Sequence, residues 1–211
     1  MTVWAVVVAA GTGERFGGPK QFALLDGRPV VDRSVAAART VADGVVLVLP
    51  EIEPAGPWGA DIVTAGGPTR SDSVRRGLLA VPPEAELIVV HDGARPLASE
   101  ALFRAVVDAV RAGADGAIPA LPVPDTLKRV APDGETVEAT VPRTGLVAVQ
   151  TPQAFRATVL RAAHAGGGEA TDDAGLVEAL GATVRLVPGD PRNLKLTTPD
   201  DLFVASALLG A

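Results

Sequence analysis

The first twenty residues, Met1 to Lys20, constrain what this chain can fold into more than any other stretch. Val3 to Ala9 is an almost unbroken apolar run with four valines, which suits a strand covered on both faces, in a parallel or mixed sheet, better than an alternating strand with one wet face. Gly11, Gly13, Gly17 and Gly18 follow within eight residues, so backbone amides can turn inward and approach an anion closely. Arg15 and Lys20 add fixed positive charge to the same loop. A strand running into such a loop can hold a nucleotide triphosphate, because amide donors and cations both stabilise phosphate charge. The alternative is a plain strand-to-helix turn, and such turns rarely carry both cations.

Two familiar glycine motifs fail on this stretch. Gly13 to Gly18 has the glycine separation of a P-loop, but Pro19 stands where lysine is required. Gly11-Thr12-Gly13 is followed by Phe16 at the third glycine position of a dinucleotide fingerprint, and no acidic residue closes the next strand at the expected spacing. What remains, A-A-G-x-G-x-R followed by P-K-Q, resembles the signature loop of the sugar nucleotidyltransferase superfamily. In that superfamily the loop wraps the triphosphate while the arginine and lysine stabilise its charge.

A chain of 211 residues with 47% hydrophobic content fits one α/β domain, residues 1–211, with a substantial core. Aromatics make up only 3% and tyrosine is absent, so the core is built from Val, Leu and Ala. Nineteen basic against 25 acidic residues give a net charge of −6 without a Lys/Arg run, which points away from nucleic acid and from a membrane surface. With no cysteine there is neither a disulfide, a thiolate metal site nor a thiol nucleophile. No basic leader and no apolar run near 18 residues is visible, so the expected setting is cytoplasmic.

Apolar runs of strand length alternate with stretches of helical period. Helices are expected over Val30 to Thr40, Ser71 to Ala80 with Ser71 or Asp72 as cap, Ser99 to Arg111 with Ser99 as cap, Thr158 to Ala165, Thr171 to Leu180 and Thr198 to Leu209. Core strands are expected over Val45 to Leu49, Asp61 to Thr64, Leu87 to His91, Gly116 to Leu121, Val147 to Thr151 and Thr183 to Val187, with Pro54 and Pro57 breaking the chain after the second strand. Between Asp125 and Arg143 two strand-like runs flank Pro132-Asp133-Gly134, which reads as a hairpin arm standing outside the α/β pattern.

In open α/β sheets ligands bind beyond the carboxyl ends of strands. Asp92, directly after a buried strand in H-D-G-A-R-P, could bind Mg²⁺ through hard oxygen or could cap the following loop. His91 reads as a hydrogen-bonded structural residue rather than a general base. The loop Gly66 to Ser73 could lay its backbone against a flat base with Ser73 at the base edge, or could be a Gly-Pro turn with a helix cap. Arg143 and Lys195 read either as site cations or as ordinary surface charges.

Taken together, A-A-G-x-G-x-R, P-K-Q, G-G-x-x-R-x-D-S-V, H-D-G-A-R-P, D-T-L-K from Asp125, T-P-Q from Thr151, T-D-D from Thr171 and N-x-K from Asn193 closely resemble, in this order and over nearly the whole chain, the 2-C-methyl-D-erythritol 4-phosphate cytidylyltransferase family of the non-mevalonate isoprenoid pathway. One departure is Val8, where that family often has proline before A-A-G. The resemblance implies a Rossmann-like three-layer α/β/α fold with a mixed, mostly parallel sheet and a protruding β-hairpin, residues 125–143, that interlocks two subunits of a homodimer. It implies that Ala9, Ala10 and Gly11 hold the ribose and phosphates of CTP, that Gly67 and Ser73 read the cytosine and that Gly93 lies beside the nucleotide. Arg15 and Lys20 would stabilise the triphosphate, and Asp92 would bind Mg²⁺ or another divalent cation and help to place the acceptor. Arg95 would face methylerythritol phosphate, with Thr126, Arg143, Thr151, Thr171 and Lys195 lining its site and the reacting centre. Two rival readings share the motif set: a ribitol 5-phosphate cytidylyltransferase, which differs only around the acceptor, and a non-catalytic nucleotide-binding protein of the same fold.

Overall fold

The structure is a computed structural model and describes residues 1–50 and 58–210; the expected breakers Pro54 and Pro57 lie outside the described residues. In chain order the elements are β1 (Val3–Val8), two single-turn helices (Glu14–Phe16 and Lys20–Phe22), β2 (Leu24–Leu25), β3 (Arg28–Pro29), α1 (Val30–Arg39), β4 (Gly44–Leu49), β5 (Ile62–Ala65), α2 (Arg70–Ala80), β6 (Leu87–Asp92), α3 (Glu100–Arg111), β7 (Gly116–Pro122), β8 (Leu127–Val130), β9 (Val137–Val141), β10 (Val147–Val149), β11 (Gln153–Arg156), α4 (Ala157–Ala165), α5 (Asp173–Ala179), β12 (Val184–Pro188) and α6 (Asp200–Leu209).

The valines of β1 divide between two cores because alternate residues of a strand face opposite sides of its sheet. Val3, Ala5 and Val7 pack with Val45 and Leu47 of β4 and with Val31 of α1 and Phe103 of α3. Val6 packs on the other side with Val46 and Val48 of β4, Val74 of α2, Leu160 of α4 and Val177 of α5. A strand apolar on both faces thus requires helices on both faces, and the result is a three-layer α/β/α sandwich around an 8-stranded sheet. Its order is β10-β7-β11-β6-β1-β4-β5, with β12 also paired to β7. β1 runs parallel to β4 and β6, β5 parallel to β4, and β12 parallel to β7, whereas β10 and β11 pair antiparallel. The sheet is therefore mixed and mostly parallel, and the ends of β1 and β6 come out side by side, with Val8 opposite Asp92.

The expected elements need three corrections. The cap of α2 is Thr69 rather than Ser71 or Asp72: its hydroxyl accepts from the Asp72 amide at 3.1 Å while the Asp72 carboxylate accepts from the Thr69 amide at 3.3 Å. This reciprocal box, worth about 1 kcal/mol, fixes the first turn of the helix. The strand expected over Val147 to Thr151 forms only over Val147–Val149, at the edge of the main sheet beside β7, where Val147 and Val149 are each 41% exposed, and Gln150 and Thr151 turn inward after it. An apolar triplet looks the same in sequence whether the chain's own helices or another surface is meant to cover it. Finally, β11 was hidden in Q-A-F-R, whose polar ends mask a strand with Ala154 and Phe155 fully buried. The hairpin of β8 and β9 forms as expected, as its own two-stranded sheet. No helix among the described residues is long and apolar enough to cross a membrane.

Candidate active site

A cleft of about 430 Å³ opens where β1 and β6 end, bounded by the glycine loop, the start of α2 and the segment carrying Lys195. Ala9, Ala10, Gly11, Lys20, Gly67, Arg70, Ser73, Asp92 and Lys195 line it. Its size is that of an ordinary small-molecule site.

The glycine loop leaves β1 with the Ala9 amide still bonded to the Val48 carbonyl at 2.8 Å, then turns back on itself. Gly13 adopts φ +72°, and a Cβ there would meet the Gly18 carbonyl oxygen at 1.9 Å, so only glycine fits. The Gly13 carbonyl accepts from the amides of both Phe16 and Gly18, and Gln21 donates to the Gly11 carbonyl at 3.3 Å. These bonds close the loop and bring Lys20 to the cleft. Burial, and then the positive charges of Lys195 and Arg15, lower the Lys20 pKa below that of an ordinary lysine, despite the opposing effect of Asp92 and Asp201. Three cations pressed together in this way favour an added anion.

At the other end of the cleft, Ser73 accepts from the Gly67 amide at 3.1 Å and donates to the Thr69 carbonyl at 3.0 Å. A Cβ on Gly67 would lie 2.3 Å from the Asp72 Cβ, so the backbone passes closer to α2 than any other residue allows. The Ser73 hydroxyl thus shapes the loop whose Gly67 and Pro68 face the cleft.

Asp92 sits at the floor. Its amide donates to the Thr151 hydroxyl at 3.0 Å, its Oδ1 accepts from Arg70 Nε at 3.2 Å and its Oδ2 from Lys195 Nζ at 2.6 Å. Burial alone would raise its pKa, but Arg70, Lys195 and Arg95 outweigh that effect and hold the carboxyl well below the usual range. The segment carrying Lys195 is held by its neighbours: Asn193 donates to the Thr151 carbonyl at 2.9 Å, Arg95, half-buried and not among the residues lining the cleft, donates to the Asn193 carbonyl at 2.7 Å, and the Leu196 amide donates to the Ala94 carbonyl at 2.8 Å. His91 is fully buried between Thr151 Oγ1 at 3.2 Å and the Arg95 carbonyl at 3.2 Å, and burial pushes its pKa down to about 4. It is a neutral structural residue at pH 7, as its place at the end of a buried strand suggests.

The structure does not gather every residue named from the sequence. Arg15 is exposed beside the cleft rather than lining it, and Gly93 is buried with its amide on the Val8 carbonyl at 2.8 Å. Thr151 is buried behind Asp92 with its hydroxyl already engaged. Thr126, Arg143 and Thr171 are exposed and are not among the residues lining the cleft, and Arg143 donates to the Val123 and Pro124 carbonyls at the root of the arm. One residue was missed. Arg70, quoted only as part of a motif, bridges Asp92 and Asp173, which lie 22 and 103 positions away, and no local pattern encodes contacts at such separations.

For a divalent cation the residues fit in a limited way. No cluster of three His, Cys, Asp or Glu side chains exists among the described residues. Asp92 is the one carboxylate among the described residues lining the cleft, and each of its oxygens accepts one hydrogen bond, leaving a second acceptor direction. One carboxylate completed by substrate phosphates and water is the usual habit of Mg²⁺.

A family model described as IspD, 2-C-methyl-D-erythritol 4-phosphate cytidylyltransferase, matches residues 3–211. The chain is 49% identical over 216 residues to the 2-C-methyl-D-erythritol 4-phosphate cytidylyltransferase of Frankia casuarinae, covering 98% of this chain and 81% of that one. It is 44% identical to the bifunctional enzyme IspD/IspF of Solidesulfovibrio magneticus, of which it spans only 56%. A solved structure, the 2-C-methyl-D-erythritol 4-phosphate cytidylyltransferase from Thermus thermophilus, superposes with a TM-score of 0.84 at 42% identity, covering 98% of each chain.

Proposed function

This chain belongs to the 2-C-methyl-D-erythritol 4-phosphate cytidylyltransferase family, and from that premise we propose how its cleft performs the reaction. The enzyme transfers the cytidylyl group of CTP to 2-C-methyl-D-erythritol 4-phosphate, giving CDP-methylerythritol and pyrophosphate. The observation that carries the mechanism is the convergence of Lys20, Arg70 and Lys195 on one cleft, with Arg15 close enough to lower the pKa of Lys20.

The triphosphate lies along Ala9, Ala10 and Gly11 under Arg15 and Lys20, and the cytosine lies toward Gly67 and Ser73, where the close approach of loop to helix limits the space to a pyrimidine. Gly93 keeps the floor narrow beside the nucleotide. The acceptor phosphate approaches Lys195 and Arg95. One of its oxygens attacks the α-phosphorus of CTP in line, the new P–O bond forms as the bond to pyrophosphate breaks, and the electron pair leaves with pyrophosphate. A phosphate monoester is already anionic near pH 7, so no strong general base is required, and His91 is in no position to act as one. The obstacle is repulsion between two anions. Preorganised cations offset it and stabilise the charge gathered on the pentacoordinate phosphorus, by several kcal/mol for each well-placed group, typically about 3 kcal/mol. A divalent cation held by Asp92 and the nucleotide phosphates would neutralise further phosphate charge.

The acceptor site is completed by a second subunit. The arm of β8 and β9 exposes Val130 and Val137 at 50% and 57%, and β10 also leaves Val147 and Val149 bare, while a two-stranded hairpin is marginal alone in water. Docking of the arm on a second copy covers these residues and carries Thr126 and Arg143 toward the neighbour's acceptor site, with Thr151 and Thr171 on the receiving side.

Pyrophosphate release tests the reading. Turnover is expected only with CTP, a divalent metal and methylerythritol phosphate together, and slower with ATP. Faster turnover with ribitol 5-phosphate would overturn the acceptor assignment, and binding of CTP without any turnover would favour a non-catalytic protein.

A further inference from the structure

Behind the cleft, two cations and two carboxylates alternate in an unbroken line that ends on a histidine. Lys195 Nζ meets Asp92 Oδ2 at 2.6 Å, Asp92 Oδ1 meets Arg70 Nε at 3.2 Å, Arg70 Nη2 meets Asp173 Oδ2 at 2.9 Å, and Asp173 Oδ1 meets His164 Nε2 at 3.0 Å. Only the first three of these residues line the cleft. Asp173 and His164 are 1% and 3% exposed and have no access to a substrate there. Asp173 opens α5 and His164 lies in the last turn of α4, both far along the chain from Arg70, which opens α2.

We propose that Asp173, backed by His164, is a positioning residue for cytidylyl transfer, acting through Arg70 to hold the Asp92 carboxylate in the floor of the cleft. This rests on the cleft being the site of that reaction. The geometry requires an arginine at position 70, since one planar guanidinium presents Nε to Asp92 and Nη2 to Asp173 at the same time, and a lysine has a single ammonium to offer. It also requires the second carboxylate. A half-buried guanidinium that loses one of its two carboxylates turns toward the anion that remains, which would draw it over Asp92 or into the bound triphosphate. With Asp173 fixed by His164, Arg70 cannot swing into the nucleotide and Asp92 cannot rotate away from it. Because the reaction depends on placing anions to a fraction of an ångström, a loose floor slows the chemical step more than it weakens CTP binding.

The test is a double-mutant cycle on the full-length enzyme, with kcat, KM for CTP and Tm measured for Asp173→Asn, Arg70→Met and the double variant. Asp173→Asn is expected to lower kcat about tenfold while KM for CTP changes less than about threefold. In the Arg70→Met background the same change is expected to cost no further kcat. Additive losses in kcat, or a fall in Tm with kcat unchanged, would overturn the proposal. Should Asp173→Asn fail to fold, Arg70→Lys decides alone: a loss of about tenfold in kcat at near-normal Tm supports the bridge, and full kcat refutes it. Turnover by the unmodified enzyme in the same assay separates failure of this inference from failure of the functional reading.

Discussion

At the residue scale, Lys20 and His91 show how neighbours decide what a titratable group does. Lys20 opens a single-turn helix at the rim of the cleft, with no core to empty, so Lys20→Ala is expected to lower kcat by about 10² or more with Tm almost unchanged, as steady-state kinetics and thermal unfolding would show. A drop in Tm with normal kcat would make the residue structural. Because burial and the charges of Lys195 and Arg15 lower its pKa, the enzyme should also lose rate on the alkaline side earlier than an ordinary lysine would allow. His91 gives a prediction of the other kind. In the unfolded chain it takes a proton near pH 6.5, but in the folded protein burial delays protonation to about pH 4. Between those values the unfolded state binds more protons, so stability is full above pH 6.5 and falls as pH drops through the window, by up to about 3 kcal/mol. Denaturant unfolding at pH 7 and pH 4.5 measures this, and His91→Gln should flatten the difference. An unchanged difference in the variant would assign the loss to other groups. The role of His91 was legible from its place at the end of a buried strand. That of Arg70 was not, because both of its partners are set by tertiary packing.

At the element scale, the sequence conveyed strands and helices wherever a single covering surface decided the pattern. β1, β4 and β6 read as buried because each is apolar on both faces, and α3 read cleanly from Ser99, whose hydroxyl accepts from the Leu102 amide at 3.3 Å. Elements with a divided environment read less well: β11 was missed for its polar ends, and β10 formed but with its apolar residues uncovered by the chain's own helices. The arm belongs to this second group, and its exposed valines motivate the shared acceptor site. If two inactive proteins, Arg143→Ala and Lys20→Ala, are mixed and exchange subunits, a heterodimer holds one site with both residues intact. Activity should then return. A monomer by sedimentation, or no recovery after demonstrated exchange, would place Arg143 outside catalysis.

At the scale of the whole molecule, the doubly covered sheet sets the ends of β1 and β6 side by side, and the cleft follows from that register, with the glycine loop on one strand and Asp92 on the other. The layer architecture and the phosphate-binding end were readable from valine runs and glycine spacing. The floor of the cleft was not, since it is assembled from α2, α4, α5 and the segment before α6. The cleft supplies cations and one carboxylate, its Ser73 hydroxyl is committed to the loop, and His91 is sealed beneath it, which favours a single direct displacement at the α-phosphorus with no enzyme-bound intermediate. The stereochemical course with CTP made chiral at that phosphorus by sulfur substitution tests this most directly. One in-line attack predicts inversion of configuration in the CDP-methylerythritol product; retention would mean two successive displacements through a covalent enzyme intermediate and would contradict it.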